Sequence, residues 1–367
     1  MKYYTLGRSG LRVSRLALGT MTFGTENGWG CDRDTSRALF DRYLDAGGNF
    51  IDTADVYTRG TSETWLGEFI AERGVRDRVV LATKFTHNFA NADANPNAAG
   101  NGRKNIIRAL EASLKRLNTD YIDLYLLHTW DRVTPVEEVL RTLDDLVTQG
   151  KVRHAGLSDV PAWYAARAQT MAELRGWEAP CALQMEYSLV ERGIEYEFAS
   201  LCQDRGMGLM VWGPLASGLL SGKYRPHSAA EAQTDGRLKA TAKIATPSLQ
   251  KMTERNWRIV AELDKVAAEL GRPMAQVAIH WVANRPAVAS VVLGATRVDQ
   301  LADTLPALDF ELPAELEARL DRAGALPPAF PYTFLDAMVP RMHGAAVVED
   351  KPPRYAQALP SRHGGWG

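Results

Sequence analysis

Eight short apolar runs, each separated from the next by a longer amphipathic stretch, constrain this chain more than any other feature. They begin near Leu16 (LALGT), Phe50 (FIDTA), Val79 (VVLATKF), Ile122 (IDLYLLH), Val152 (VRHAGLS), Ala182 (ALQMEY), Gly208 (GLMVW) and Ser290 (SVVLG). The runs are apolar on both faces, as parallel strands covered by helices must be. Leu16 to Gly208 spans 192 residues in six intervals, 32 each, close to the ~30 residues of a βαβ unit. Thr134-Pro135-Val136-Glu137 reads as an N-cap, a proline at the first helical position and a capping-box glutamate, with Gly150 closing a helix of about 135–149. Gly47 with Gly48, Gly176, Gly206 and Gly271 stand where other helices should stop. Strand, capped helix, glycine, strand is the rhythm of an α/β protein of the (β/α)8 TIM barrel class.

Two segments depart from that rhythm. Gly208 to Ser290 is 82 residues long, so an insertion of about 50 residues follows the seventh strand, including the polar stretch 225–250, expected as loop with some helix. Residues 327–367 are rich in Pro, Gly and His and read as a mostly irregular tail placed to pack over the active-site face. Residues 1–326 then form one barrel. Ahead of it, YYTLGRSGLRVSRL reads as a hairpin turning at Arg8-Ser9-Gly10, placed to plug one barrel end.

Composition excludes several functions. The 43 Lys and Arg balance 44 Asp and Glu, with no block of like charge. Nucleic acid and anionic membrane surfaces are therefore poor partners. No apolar run reaches the ~18 residues of a membrane span, and the N-terminus lacks a secretion h-region. Cys31, Cys181 and Cys202 are odd in number and scattered, which argues against a disulfide framework or a zinc site. A reducing cytoplasm is expected.

A barrel of this class carries its chemistry at the carboxyl ends of the strands. The second run ends in Asp52-Thr53-Ala54-Asp55-Val56-Tyr57, the third at Lys84 and the fourth at His128. These four types suit proton transfer to an oxygen on a carbon that exchanges hydride. A phenol titrates near ~10, and a neighbouring ammonium stabilises its anion. Tyr57 is thus read as general acid/base, Lys84 as the group that lowers its pKa, Asp52 as the anchor of Lys84, and His128 as the substrate-orienting group. Singly, each residue reads as well as structure; His128 alone is most often a core histidine. Their coincidence at successive strand ends favours chemistry. His87, His154, His227 and His280 read as structural, since no second ligand lies at metal spacing, and no metal is expected. A metal-dependent hydrolase is disfavoured because no His-x-His stands at a strand end.

These residues resemble a family. GNFIDTADVY with Ser62-Glu63, the Lys84 strand end, DYIDLYLLH and WGPLASGLLSGKY are similar to the aldo-keto reductase superfamily over about residues 3 to 325. The stretch HTWDRVTPVEEVLRTLDDLVTQGKVRHAGLSDVPAW resembles its aryl-alcohol-dehydrogenase-like branch. The resemblance implies an NADPH-dependent reductase of aldehydes, ketones or keto-sugars, with a catalytic tetrad at Asp52, Tyr57, Lys84 and His128. It also implies the cofactor's place. Ser158, Asp159 and Gln184 match the nicotinamide ligands and Trp212 the stacking ring. Gly213, Pro214, Leu215, Gly218 and Lys223 match the pyrophosphate loop. Gly294, Thr296, Arg297, Gln300 and Asp303 match the adenosine segment, where a cation such as Arg297 suits a 2′-phosphate and favours NADPH over NADH. Asp159 stands where asparagine is commoner, and Asp303-Thr304 where Glu-Asn is. Trp29, Phe85 and Trp130 lie near strand ends and read either as walls of an apolar substrate pocket or as packing. An alternative reading is an NADPH-binding redox-sensing or channel-associated subunit, because such relatives keep the tetrad.

Overall fold

Eight parallel strands close into a barrel in the computed structural model, which describes residues 1–87, 95–224, 250–342 and 344. A hairpin of β1 (Tyr3–Thr5) and β2 (Arg12–Ser14) comes first. The barrel strands are β3 (Leu16–Gly19), β4 (Phe50–Asp52), β5 (Val80–Phe85), β6 (Ile122–Leu127), β7 (Val152–Ser158), β8 (Ala182–Glu186), β9 (Gly208–Trp212) and β10 (Val288–Gly294). Each pairs with its neighbours in sequence, and β10 closes on β3. All eight expected runs are strands, with starts displaced by at most two residues.

Two apolar layers follow from the period of two along each strand. Ala17, Phe50, Ala82, Leu124, Leu126, Met210 and Val292 fill the barrel interior. Leu18, Ile51, Leu81, Phe85, Tyr125 and Leu127 point the other way, into the layer shared with the helices. The polar residues at the strand ends obey the same parity. Asp52 follows Phe50 by two, Lys84 follows Ala82, His128 follows Leu126, Gln184 follows Ala182 and Trp212 follows Met210. All are set on the inward side at one end of the barrel.

The other end is floored by the hairpin, whose Leu6 and Val13 are fully buried among the interior residues. Leu6 N–H donates to Leu11 O at 2.8 Å to close the turn, and Arg8 N–H donates to Gly206 O at 2.8 Å to dock it. The left-handed conformation falls on Gly7 (φ +57°), which abuts the Cys181 carbonyl, and not on Gly10.

The connecting helices include α1 (Arg33–Asp45), α2 (Thr61–Arg73), α3 (Arg103–Leu117), α4 (Val136–Thr148), α5 (Ala162–Arg175) and α6 (Phe198–Arg205). Gly150, Gly176, Gly206 and Gly271 take positive φ at helix ends, as expected. The start of α4 differs from expectation. Pro135 is the N-cap and Val136 the first helical residue, because the Thr134 hydroxyl is engaged by Asp131 Oδ2 at 2.6 Å instead of capping the helix.

After β9, a 3-10 turn (Ala216–Ser221) precedes α7 (Glu254–Leu270) and α8 (Met274–Ala283). Residues 225–249 of the expected insertion, with His227, lie outside the described residues. Beyond β10 come α9 (Val298–Thr304), α10 (Ala314–Gly324) and α11 (Tyr332–Met342). The last places one helix in the tail expected to be mostly irregular: Tyr332 stacks on Tyr196 at 6.4 Å, and the Tyr196 hydroxyl donates to Pro327 O at 2.7 Å. Such contacts give the segment a surface on which to coil. Residues 345–367 lie outside the described residues. Among the described residues, no helix is long and apolar enough to cross a membrane.

Candidate active site

Lys84 is fully buried at the end of β5, and its three N–H bonds are all directed at oxygen. They reach Asp52 Oδ2 at 2.7 Å, Thr53 O at 2.8 Å and Tyr57 Oη at 3.2 Å. Burial pushes the ammonium down, but the Asp52 carboxylate and the Tyr57 hydroxyl outweigh it and hold the group above its ordinary value. The second Asp52 oxygen, Oδ1, accepts from Gln184 Nε2 at 2.7 Å, from a strand on the opposite side of the barrel. A chain of bonds thus crosses the barrel mouth from Gln184 through Asp52 and Lys84 to Tyr57.

His128 completes this group. Its ring stands edge-on to Tyr57, with centroids 5.8 Å apart. Its Nδ1 is buried without a hydrogen-bond partner. Burial first, then the Lys84 charge and the nearby His87, hold its pKa well below the ordinary imidazole range. The ring is therefore neutral at neutral pH.

The structure adds residues that the sequence reading set aside or took only as motif. His87 stands 4.8 Å from His128, edge to face, with Nε2 3.2 Å from Thr129 Oγ1. Its position three residues past Lys84 on the same strand end was the available signal. Glu63 is wholly buried, accepting from Thr83 Oγ1 at 2.5 Å and from Arg116 Nε at 2.7 Å, so it ties α2 to β5 and α3. Asp55, two residues before Tyr57, is buried. Burial, reinforced by the charge of Glu63, pushes its carboxyl up to about 8. Ser62 Oγ bonds Thr20 O at 2.8 Å and supports the turn beneath Tyr57.

The residues matched to a dinucleotide ring the same mouth. Ser158 Oγ is buried with no well-formed hydrogen bond. Asp159 takes φ +46° and accepts from Trp212 Nε1 at 3.2 Å; burial raises its carboxyl to about 6 against the opposing pull of that bond. Gly213 (φ +69°), Ala216, Ser217 and Gly218 all take left-handed conformations, and a Cβ on Gly218 would meet Lys223 Nζ at 3.4 Å. Pro214 and Leu215 lie within this turn. Past β10, Gln300 Oε1 accepts from Thr296 N at 3.0 Å and Thr296 Oγ1 at 3.2 Å. Gly294 and Asp303 are exposed, and the exposed Arg297 is held by Asp299 at 2.8 Å. An orphaned buried hydroxyl, a partly buried indole, a tight glycine turn and surface cations fit an anionic dinucleotide.

Of the three aromatic residues considered for a substrate pocket, two are near the mouth. Trp130 packs on Trp163 (5.4 Å) and Tyr164 (6.0 Å), and its backbone N–H donates to Asp159 O at 3.4 Å. Trp29 is partly exposed in the loop after β3. Phe85 is a correction: as the neighbour of Lys84 it has the opposite parity, is fully buried and packs on Tyr125 at 4.9 Å, away from the mouth.

A closed parallel barrel with an Asp–Lys–Tyr–His cluster at the carboxyl ends of its strands defines a class of barrel oxidoreductases. The sequence places the chain within it: residues 15–325 match the aldo/keto reductase family, to which this protein belongs. It is 36% identical to norsolorinic acid reductase of Aspergillus flavus over 335 residues, covering 89% of this chain and 82% of that one. An aryl-alcohol dehydrogenase of Pestalotiopsis microspora is 34% identical, covering 89% of this chain and 82% of its own. A probable voltage-gated potassium channel subunit beta of Oryza sativa is 37% identical, covering 84% and 92% respectively. The protein is an oxidoreductase of a family whose enzymes typically use NADP(H) and small-molecule substrates.

Proposed function

We propose that this chain is an NADPH-dependent oxidoreductase that interconverts a carbonyl and an alcohol, with Tyr57 as general acid/base. The substrate class is an aldehyde, a ketone or a keto-sugar. The supporting observation is the Lys84 ammonium shared between Asp52 Oδ2 and Tyr57 Oη at the barrel mouth.

A bound reduced nicotinamide supplies the hydride. The chain supplies the proton and the geometry. Tyr57 Oη gives its proton to the carbonyl oxygen, and the Lys84 ammonium stabilises the phenolate left behind. Asp52 holds Lys84 in place, and Gln184 holds Asp52. His128, kept neutral, offers an N–H to the carbonyl oxygen without adding a charge. A positioned acid of this kind contributes ~10²–10⁴-fold, with most of the remainder coming from orientation. Ser158, Asp159 and the Oε1 of Gln184 would hold the nicotinamide amide, with Trp212 against the ring. Gly213, Pro214, Leu215, Gly218 and Lys223 would take the pyrophosphate. Gly294, Thr296, Arg297, Gln300 and Asp303 would take the adenosine half, with Arg297 favouring NADPH over NADH. Trp29 and Trp130 are assigned to the substrate side. Three free buried thiols suit a reducing compartment, and the cytoplasm is the proposed one.

Tyr57→Phe is the test. Turnover should collapse while NADPH binding persists; unchanged turnover would remove Tyr57 from this role. The similarity to a channel subunit supports a second reading, an NADPH-binding sensor with slow turnover. An aldehyde panel followed by nicotinamide absorbance separates the two. Rapid oxidation of NADPH supports the enzyme, and tight NADPH binding with negligible turnover supports the sensor.

A further inference from the structure

A cavity of about 530 Å³ opens at the barrel end opposite the Asp52, Lys84 and Tyr57 cluster, between the hairpin and the loops entering β9 and β10. Its walls carry three arginines, Arg8, Arg15 and Arg285, and no aspartate or glutamate. Arg285 is neutralised by Glu317 and by Asp321 at 3.2 Å. The other two differ. Among the described residues, no carboxylate oxygen lies within 4.0 Å of Arg8 or Arg15.

Arg15 is only 7% exposed. Its Nη2 donates to Ala283 O at 2.6 Å and Asn284 Oδ1 at 2.9 Å, and its guanidinium lies over the Tyr4 ring at 4.6 Å. All three partners are uncharged. Its Nε and Nη1 donate to no described residue. Neither is among the buried polar atoms without a partner, so both N–H groups remain open to solvent on a side chain that no carboxylate neutralises, and a bound anion would pair with them. Guanidinium is also the group that grips carboxylate and phosphate through paired N–H bonds. Arg15 borders a second cavity of about 390 Å³ as well, but Glu311 and Glu317 line that one. The carboxylate-free side is the side for an anion.

We propose that this cavity binds the oxyanion of a small molecule, a phosphate or a carboxylate, with Arg15 as the buried anchor and Arg8 at the rim. Met207 and Val288 give the remainder of the ligand an apolar wall. The volume falls within the ~300–1,000 Å³ of small-molecule sites. Lys223 and Arg297 follow the carboxyl ends of β9 and β10, so they lie at the other end of the barrel and belong to a separate anionic site.

The test is calorimetric titration of inorganic phosphate, and separately of acetate, into the full chain. Ionic strength is held constant with chloride, and Lys223→Gln with Arg297→Gln removes the cations at the opposite end. One saturable site is expected for at least one probe. Stronger phosphate binding would point to a phosphorylated ligand and stronger acetate binding to a carboxylate; either supports the site. Arg15→Gln should abolish binding, and Arg8→Gln should weaken it about tenfold, as loss of a charge-assisted bond does. Arg8 is exposed and glutamine keeps its stem to Cδ, so that variant decides the matter even if Arg15→Gln fails to fold. Absence of a saturable site, or binding indifferent to Arg8→Gln, would overturn the proposal.

Discussion

Trp212 Nε1 donates to Asp159 Oδ1 across the rim where β7 and β9 end, at 3.2 Å. The bond orients an indole with a carboxylate that bears an electrostatic penalty for its place. Asp159 also sits in the left-handed region at φ +46°, which asparagine tolerates as well as aspartate. An asparagine at this position would keep an acceptor for the indole and lose the charge.

Asp159→Asn should therefore stabilise the fold, with a definite pH signature. The native carboxyl titrates at about 6 against an ordinary 3.8. The wild type loses stability as pH rises from the unfolded value through the folded one. The advantage of the variant should be absent near pH 4, grow to pH 6 and level off above. Its plateau should be ~1–3 kcal/mol after allowance for partial exposure. Urea melts at pH 4, 6 and 8 measure it; an equal shift at all three would exclude the electrostatic cause.

The Lys84 and Asp52 pair is buried at both ends. Removing one partner strands the other charge in the interior. Lys84→Met or Asp52→Asn alone should cost ~3–5 kcal/mol, and the double variant clearly less than their sum. A denaturation cycle over the four proteins gives the coupling. Additive losses would mean that the pair is not electrostatically coupled.

Glycine substitutions in the hairpin should separate two positions that look alike in sequence. At Gly7 an added Cβ would lie 2.3 Å from Cys181 O on a backbone at φ +57°, whereas Gly10 has open space. Gly7→Ala should cost more than ~2 kcal/mol and loosen the barrel floor, and Gly10→Ala should be nearly neutral. Thermal melts with hydrogen exchange at Leu6 and Val13 report both effects.

The neutral state of His128 depends on burial, on Lys84 and, to a lesser degree, on His87. Its folded pKa lies below the unfolded value, so the native state refuses a proton that the unfolded chain accepts; stability from this source is lost as pH falls below ~6.5. His87→Phe removes one of the depressing charges. On the proposed mechanism the acid limb of the kcat profile should move to higher pH. An unmoved limb would mean that His87 does not act on His128.

What could be read from the sequence followed from local periodicity. The alternation that places Asp52, Lys84, His128 and Gln184 inward is written in the two residues before each, so the site was legible together with the strands. The same rule, applied one residue further, excludes Phe85 from the pocket. Other features depend on distant segments meeting. Gly7 rather than Gly10 carries the strained turn because the Cys181 and Gly206 carbonyls approach it, and nothing near position 7 encodes that approach. Thr134 is drawn from its capping role by Asp131. Arg15 resembles any surface cation until the hairpin docks and buries it. The α11 helix forms in a stretch whose prolines and glycines suggested none, against a tyrosine more than 130 residues earlier in the chain.

An ammonium has three protons, and those of Lys84 are all assigned, to a carboxylate, a backbone carbonyl and a phenol. Such a nitrogen is a fixture rather than a relay. It offers no free proton to water and no lone pair to receive one. On the proposed mechanism, the proton that Tyr57 surrenders is restored from the open side of the barrel, where solvent, substrate and His128 would meet. Traffic in protons thus shares one doorway with traffic in molecules.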